Sequence, residues 1–300
     1  MSATSPSHLP EQAGSAPRRP AHIIRSDAEA IEVAQRLAED FAREALERDR
    51  DRRLPWAELE RFSDSGLWAI TVPQSHGGAG VSYRTLTEVV AIISAVDSSL
   101  GQLPQNHFGV LNNLLLTGSE AQKTEYLAKV LAGYRFGNAF SEAKSKTVTA
   151  FETRIRFDGD SAVLDGEKAY CTGALFAHIV PVAGVDELNR PFVAFVPRET
   201  PGLQVIDSWD GFGQRITASG KVLLDGVRVA ARAVIPAWKA YDQPTADGPV
   251  SQIIQAAVDT GIARGAFAET LRVARLARAA SQGARGKPAG DFAGQQNRST

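Results

Sequence analysis

The hydrophobic period of this chain changes at Phe136 and changes back at Val250, and that double switch restricts the folds open to it. Before Phe136, apolar residues recur three and four positions apart, as in Ile31, Ala34, Leu37, Phe41 and Ala45, or Tyr126, Leu127, Val130 and Leu131. That spacing places one apolar stripe on a helix. After Phe136 the pattern alternates: Thr153, Ile155 and Phe157 are separated by Arg154 and Arg156. A period of two is that of a half-buried strand. From Val250 to Ala280 the helical spacing returns through Ile254, Ala257, Val258 and Ile262. Helices and strands that are segregated rather than alternating specify an α+β chain and not a parallel α/β one. The expected organisation is an all-α N-terminal domain over 23–135, an antiparallel, barrel-like β domain over 136–238, a linker over 239–249 and one helix over 250–280. The ends, 1–22 and 281–300, are rich in small and polar residues and are expected to be disordered tails, since they cannot bury enough surface to offset their ordering entropy.

Local signals place the elements. Ser26-Asp27-Ala28-Glu29 and Ser119-Glu120-Ala121-Gln122 have the spacing of reciprocal helix N-caps. Pro55 suits a first helical turn, and Gly66 suits a stop. A fourth apolar helical segment is expected from Pro104 to Leu116. Ile179–Val185, Phe192–Val196, Leu203–Ile206 and Lys221–Val229 read as strands broken by Gly and Asp.

Composition excludes several functions. The 33 basic and 34 acidic side chains leave a net charge of -1, without the basic excess of a chain that neutralises nucleic-acid phosphates. A single cysteine, Cys171, allows no internal disulfide and no cysteine-based zinc cluster. The five histidines are scattered, so no metal site is expected. No apolar run approaches the roughly 20 residues that span a bilayer, and no secretory signal is visible; the expected location is the cytoplasm. Rossmann, Walker and nucleophile-elbow motifs are absent.

Three segments carry a family resemblance. Gly66-Leu67-Trp68-Ala69-Ile70-Thr71-Val72-Pro73 followed by Gly77-Gly78-Ala79-Gly80, then Leu164-Asp165-Gly166-Glu167-Lys168-Ala169-Tyr170-Cys171-Thr172-Gly173, then Gly213-Gln214-Arg215 through Val229, occur in the order seen in the acyl-CoA dehydrogenase superfamily. The resemblance covers about 24–280 and implies that family's fold, with a flavin between the β domain and the helices. The dehydrogenases themselves carry a Thr-Glu-Pro…Gly-Ser-Asp segment at the first strand. This chain has Phe136-Gly137-Asn138-Ala139-Phe140-Ser141-Glu142-Ala143-Lys144-Ser145 instead. With Tyr170-Cys171-Thr172-Gly173-Ala174 and Gln105-Asn106-His107-Phe108, it is similar to a flavin monooxygenase branch that includes the dibenzothiophene-desulfurisation and sulfur-acquisition enzymes.

The resemblance implies a reduced-flavin monooxygenase with O2 as co-substrate, a small organosulfur substrate, a separate flavin reductase and a homo-oligomeric assembly. It favours FMN over FAD, because an adenosine half would lean on the family's C-terminal four-helix bundle, of which only the first helix is recognisable here; the C-terminal helical domain is expected to be truncated. Thr172 aligns with the family hydroxyl that faces the flavin N5. Asn138 offers an amide to the flavin, or simply holds a strand end. Ser141, Trp209 and Arg215 are the further cofactor-binding candidates; Arg215 has a structural alternative in tying the strands together. His107 is the acid/base candidate, with a satisfied structural imidazole as its alternative. Cys171 reads as an inert buried thiol. Two other functions stay open: an acyl-CoA dehydrogenase using FAD, and a non-catalytic interaction subunit. Gly261 and Gly265, four apart, are expected to permit close approach of a second copy of the C-terminal helix.

Overall fold

The computed structural model describes residues 20–143, 151–242 and 244–285; most of the two expected tails lies outside them. Among these residues six α-helices come first: α1 (Asp27–Ala42), α2 (Ala45–Arg50), α3 (Trp56–Asp64), α4 (Tyr83–Ser94), α5 (Ser98–Thr117) and α6 (Glu120–Leu131). The caps follow the sequence. Ser26 accepts from the Glu29 amide at 3.2 Å, and Glu29 reaches back one residue further than a standard box, to the Arg25 amide at 2.7 Å. Ser119 and Gln122 form the full reciprocal box.

Helix α5 corrects an expectation. It starts at Ser98, six residues before Pro104, and carries that proline inside. The start is set by Asp97, whose Oδ1 accepts from the Ser99 and Leu100 amides at 3.0 Å each. Its other oxygen accepts from the Arg48 guanidinium at 2.7 Å, and Arg48 also donates to Glu58 at 3.3 Å and to the Phe41 carbonyl at 2.8 Å. One buried cation thus ties α1, α2 and α3 to the α4–α5 corner.

Among the described residues seven strands follow: β1 (Arg154–Asp158), β2 (Ser161–Lys168), β3 (Ile179–Val185), β4 (Pro191–Pro197), β5 (Leu203–Ile206), β6 (Lys221–Ala230) and β7 (Val234–Ile235). They form one curled sheet in the order β5-β6-β2-β1-β3-β4-β7, open between β5 and β7. The sheet is mixed, where an antiparallel one was expected. β1 lies parallel to β3 through Arg154 and Val185, and Phe136 and Ala139 make parallel bridges to Ile179 and Val182 on the same strand. The 136–139 segment and β1 therefore run along one edge of β3, and two antiparallel hairpins are joined by a parallel seam. Thr153 and Ile155 are buried as the alternation predicts, whereas Phe157 is about half exposed near the hairpin tip and packs on Phe192.

The last helix, α7 (Asp247–Arg285), begins three residues earlier than expected, and part of the expected linker, Ala237–Asp242, is 3-10 helix. Its first half docks on α4 and α5, burying Val250, Ile254, Ala257 and Val258. Gly261 and Gly265 serve this intramolecular contact. A Cβ on either would lie 2.4 Å from the Ala91 carbonyl oxygen or 2.1 Å from that of Ala95, both at the C-terminal end of α4. The close approach assigned in the sequence to a second copy is thus made within the chain.

Helices and sheet meet at Phe136, whose ring packs against Tyr126, Phe195 and His107. His107 is fully buried. Its Nδ1 accepts from the Phe136 amide at 3.0 Å, and its Nε2 donates to the Trp68 carbonyl at 2.9 Å. This fixes a neutral tautomer. Protonation at Nδ1 would set two donors against each other, and burial already pushes the pKa down to about 4. The acid/base role considered for His107 is therefore corrected: both ring nitrogens are engaged with backbone, and the imidazole joins the helices to the first segment of the sheet.

Because the unfolded imidazole takes up a proton near its ordinary pKa of 6.5 and the folded one only near 4, His107 stabilises the fold above about pH 6.5 and that stability is lost as pH falls toward 4. Urea unfolding at pH 7 and pH 5.5 is expected to show a loss of about 1 kcal/mol in the wild type beyond that in a His107→Gln variant. Equal losses in the two proteins would show that this imidazole is not held neutral.

Candidate functional site

Three stretches converge beside the parallel seam: 136–142, the turn 169–173 between β2 and β3, and the loop 207–220 between β5 and β6. The first is pinned by backbone bonds to β3, Gly137 N to the Ile179 carbonyl and Ala139 N to that of Pro181, both at 3.1 Å. Gly137 has no room for a side chain, since a Cβ would sit 2.7 Å from Ala174 Cα. Next to it, Asn138 is buried. Its amide nitrogen donates to the Tyr170 carbonyl at 3.3 Å, while its Oδ1 is buried with no hydrogen-bond partner among the described residues.

The turn 169–173 is tied on both sides. Ala169 N donates to the Ser141 carbonyl at 2.8 Å, and Cys171 N to the Gly220 carbonyl at 3.0 Å. Tyr170 stands at φ +55°, a region L side chains rarely adopt, which aims its carbonyl at Asn138. Thr172 is half-buried, and its hydroxyl lies 2.8 Å from that of Ser219. Cys171 is buried against the sheet and its thiol is pushed up to about 12 by burial, the inert state expected for it.

A buried ion pair anchors the first stretch. Lys168, at the end of β2, donates to Glu142 at 2.6 Å and to the Phe140 carbonyl at 3.1 Å. Glu142 also accepts from the Glu152 and Thr153 amides at 2.6 and 3.0 Å. Burial pushes the Lys168 ammonium pKa down, opposed by the Glu142 carboxylate beside it. The clamp thus holds Glu142 against Glu152 and Thr153 and fixes the C-terminal end of the Asn138 segment.

The site residues expected from sequence are distributed unevenly. Asn138, Ser141 and Thr172 come together. Trp209 is one step behind them: its indole donates to the Gln214 carbonyl at 3.0 Å, and that carbonyl also accepts from Thr217. Arg215 points to the helices, donating to the carbonyls of Asp49 and Arg50 at 3.1 and 3.0 Å, a structural contact to α2 rather than the tie between strands considered for it. Residues not singled out in the sequence complete the cluster. Ser219 and Thr217 supply hydroxyls 2.8 Å apart, and Gln214 donates to Gln102 on α5 at 3.3 Å, which in turn donates to Gln255 on α7 at 3.2 Å. The two hydroxyls of Thr217-Ala218-Ser219 were the available signal; the amide chain crosses three distant segments and left none.

A cleft of about 500 Å³ lies elsewhere, between the 71–83 loop, Phe108 and Asn112 of α5 and Val250 of α7. Its wall includes Thr71, whose Oγ1 is also buried without a partner among the described residues, but none of the site residues expected from sequence lines it. Among the described residues no group of three or more His, Cys, Asp or Glu side chains could hold a metal, and no helix is long and apolar enough to cross a membrane.

Comparison with known proteins agrees with this architecture. Residues 27–134 match the acyl-CoA dehydrogenase N-terminal domain family. The dibenzothiophene monooxygenase of Rhodococcus qingshengii is 32% identical over 256 residues, covering 81% of this chain and 61% of that protein. A probable FMNH2-dependent monooxygenase, SfnC of Pseudomonas putida, is 30% identical over 80% of this chain and 60% of its own length. FMN-bound TdsC from Paenibacillus sp. A11-2 superposes with a TM-score of 0.76 at 31% identity, over 82% of this chain and 65% of that one. The chain thus spans about three-fifths of the length of the curated relatives it matches. With residues 27–134 matching that domain family and the mixed sheet following it, the chain has the acyl-CoA dehydrogenase-like fold and is similar to relatives of the desulfurisation and FMNH2-dependent kinds.

Proposed function

We propose that this chain holds the flavin of a reduced-flavin monooxygenase acting on a small organosulfur compound, with O2 as co-substrate. The observation that carries the reading is the Asn138 oxygen, buried without a hydrogen-bond partner among the described residues, on a side chain whose amide nitrogen holds the turn that carries Thr172. An unpaired buried acceptor costs about 1–3 kcal/mol, which a ligand donor would recover. The N–H and carbonyl edge of an isoalloxazine ring fits that need, and FMN is favoured over FAD by the FMNH2-dependent and FMN-bound relatives. When bound, the flavin supplies two-electron activation of oxygen and delivery of one oxygen atom to sulfur.

The residues of the chain do the rest. Asn138 accepts from and orients the ring edge, with Ser141 beside it. Thr172 meets the ring through its hydroxyl. Ala139, Cys171 and Ala174, all fully buried, form an apolar backing that keeps water from the oxygen-reactive face. Trp209, held by Gln214, and Arg215, anchoring the 207–220 loop on α2, position the far wall. A separate reductase supplying FMNH2 and a cytoplasmic location belong to the same proposal. So does homo-oligomerisation, supported by Phe267, Val273 and Leu276, exposed on the distal half of α7.

Titration of FMN against the full chain is expected to give saturable fluorescence quenching, weakened about tenfold in Asn138→Ala, the scale of one or two lost hydrogen bonds. An unchanged affinity in that variant would remove Asn138 from the site. Absence of any flavin binding would overturn the proposal and favour the non-catalytic reading.

Acyl-CoA dehydrogenation is expected to be absent. Abstraction of a proton α to a thioester needs a free, positioned carboxylate, worth about 10²–10⁴-fold in rate. Glu142, the carboxylate nearest in sequence to Asn138 and Ser141, is instead paired with Lys168 and two amides. Rapid reduction of a dye acceptor by straight-chain acyl-CoAs would show the dehydrogenase reading to be correct.

A further inference from the structure

The cleft of about 500 Å³ beside the 71–83 loop is built from four parts of the chain. Leu86 of α4, Phe108 and Leu115 of α5, Val250 of α7, and Pro73 and Val81 of the loop supply its apolar wall. It is distinct from the Asn138 cluster. The His107 ring packs on both sides, against Phe108 in the cleft wall at 5.3 Å and against Phe136, two residues before Asn138, at 5.2 Å.

The polar groups of the wall are committed to neighbours, with one exception. Tyr83 Oη donates to Asn112 Oδ1 at 3.1 Å, and Asn112 Nδ2 donates to Asp247 at 2.7 Å. Ser82 Oγ donates to Asp27 at 2.8 Å, and Gln74 Nε2 to the Ala79 carbonyl at 3.3 Å. Thr71 Oγ1 is buried with no partner among the described residues. The backbone that carries it is pinned on both sides: the Ile70 carbonyl accepts from Val81 N at 2.9 Å and the Val72 carbonyl from Gly80 N at 2.8 Å. A buried hydroxyl without a partner, on a fixed segment, in the wall of a cleft, is a group left for something that enters the cleft.

The lining also sets the charge of what can enter. No charged side chain is part of it, and the charged groups that its polar residues touch, Asp27 and Asp247, are both carboxylates. An anion would meet no cation there and two negative charges just behind the wall. The apolar residues, Phe108 among them, suit a flat hydrocarbon body, and the volume falls in the range of about 300–1,000 Å³ usual for small-molecule sites.

We propose that this cleft is a second binding site, for a small neutral molecule with an aromatic body and one hydroxyl or carbonyl group, and that Thr71 recognises that group. A threonine hydroxyl both donates and accepts, so it pairs with either. The proposal is independent of the flavin reading, since no residue of the Asn138 cluster takes part.

Three fluorescent probes of one shape test it on the full chain: 2-naphthol, neutral at pH 7; 2-methylnaphthalene, which lacks the hydroxyl; and 2-naphthoate, which adds a negative charge. The wild type is expected to bind 2-naphthol saturably, about tenfold more tightly than 2-methylnaphthalene, and 2-naphthoate least. Thr71→Val keeps the volume and removes the hydroxyl; it is expected to bring 2-naphthol to the level of 2-methylnaphthalene and to leave the latter unchanged. Thr71→Ser is expected to keep the preference. Leu115→Trp, at a half-buried position of the wall, fills the cleft and is expected to abolish binding of both neutral probes, which keeps the test intact should Thr71→Val fold poorly. Wild type that binds no 2-naphthol, that binds 2-methylnaphthalene or 2-naphthoate as tightly, or whose 2-naphthol affinity survives both Thr71→Val and Leu115→Trp, overturns the proposal. FMN titrations of the same variants are expected to match wild type, so that failure here leaves the flavin reading untouched.

Discussion

The His107 imidazole is the joint on which the rest of the arrangement depends. It takes its donor and its acceptor from two different layers, the Phe136 amide at the start of the sheet and the Trp68 carbonyl among the helices. Both bonds are buried, so water cannot replace either, and losing one would leave a backbone group unpaired at a cost of about 1–3 kcal/mol. Packing of Trp68, Phe108 and Phe136 around the ring holds its orientation. With Phe136 fixed, the next residues have no choice of register against β3, and Asn138, two positions on, is delivered to the Tyr170 carbonyl.

The same economy recurs outward from that joint. The cluster around Asn138 is assembled from backbone carbonyls and short side chains, each satisfied by a neighbour from another segment. Lys168 and Glu142 fix the C-terminal end of the stretch carrying Asn138 and Ser141, and Arg215 closes the 207–220 loop onto α2. Buried polar groups in such a network are costly when unpartnered, and within this cluster almost all are partnered. Among the described residues the Asn138 oxygen and the Thr153 hydroxyl are the exceptions, and Asn138 stands where three stretches meet. A largely satisfied surround around a buried unpaired acceptor is the arrangement expected of a site preorganised for a ligand.

Much of this was legible in the residues. The change of period separated helices from strands because 3.6 and 2 are incompatible ways of burying one face. The Ser119 box formed as spaced, because a cap is a contact among four successive residues. Thr172 and Asn138 were legible through short motifs that hold the turn and the strand. Pro104 misled because proline is a statistical marker of a helix start, whereas Asp97 and its bond to Arg48, 49 residues away in sequence, decided where α5 begins. His107, Trp209 and Arg215 have the right chemistry for catalysis or cofactor contact, yet each spends its polar atoms on backbone of its own chain.

By itself the amino-acid sequence determined what depends on neighbours a few positions apart: the helices, the strands, the caps, the tight turns and the residue types available to a flavin. Only the tertiary structure decided which polar atoms were already taken. Gly261 and Gly265 could equally admit a second chain or α4, and the choice fell to α4 because α7 packs there with Ile254 and Val258 buried. The parallel seam, the mixed sheet and the hydroxyl row from Gln214 to Thr172 join segments that lie tens of residues apart. Hydrogen-bond partnership and burial are properties of such assembled neighbours, and no local pattern encodes them.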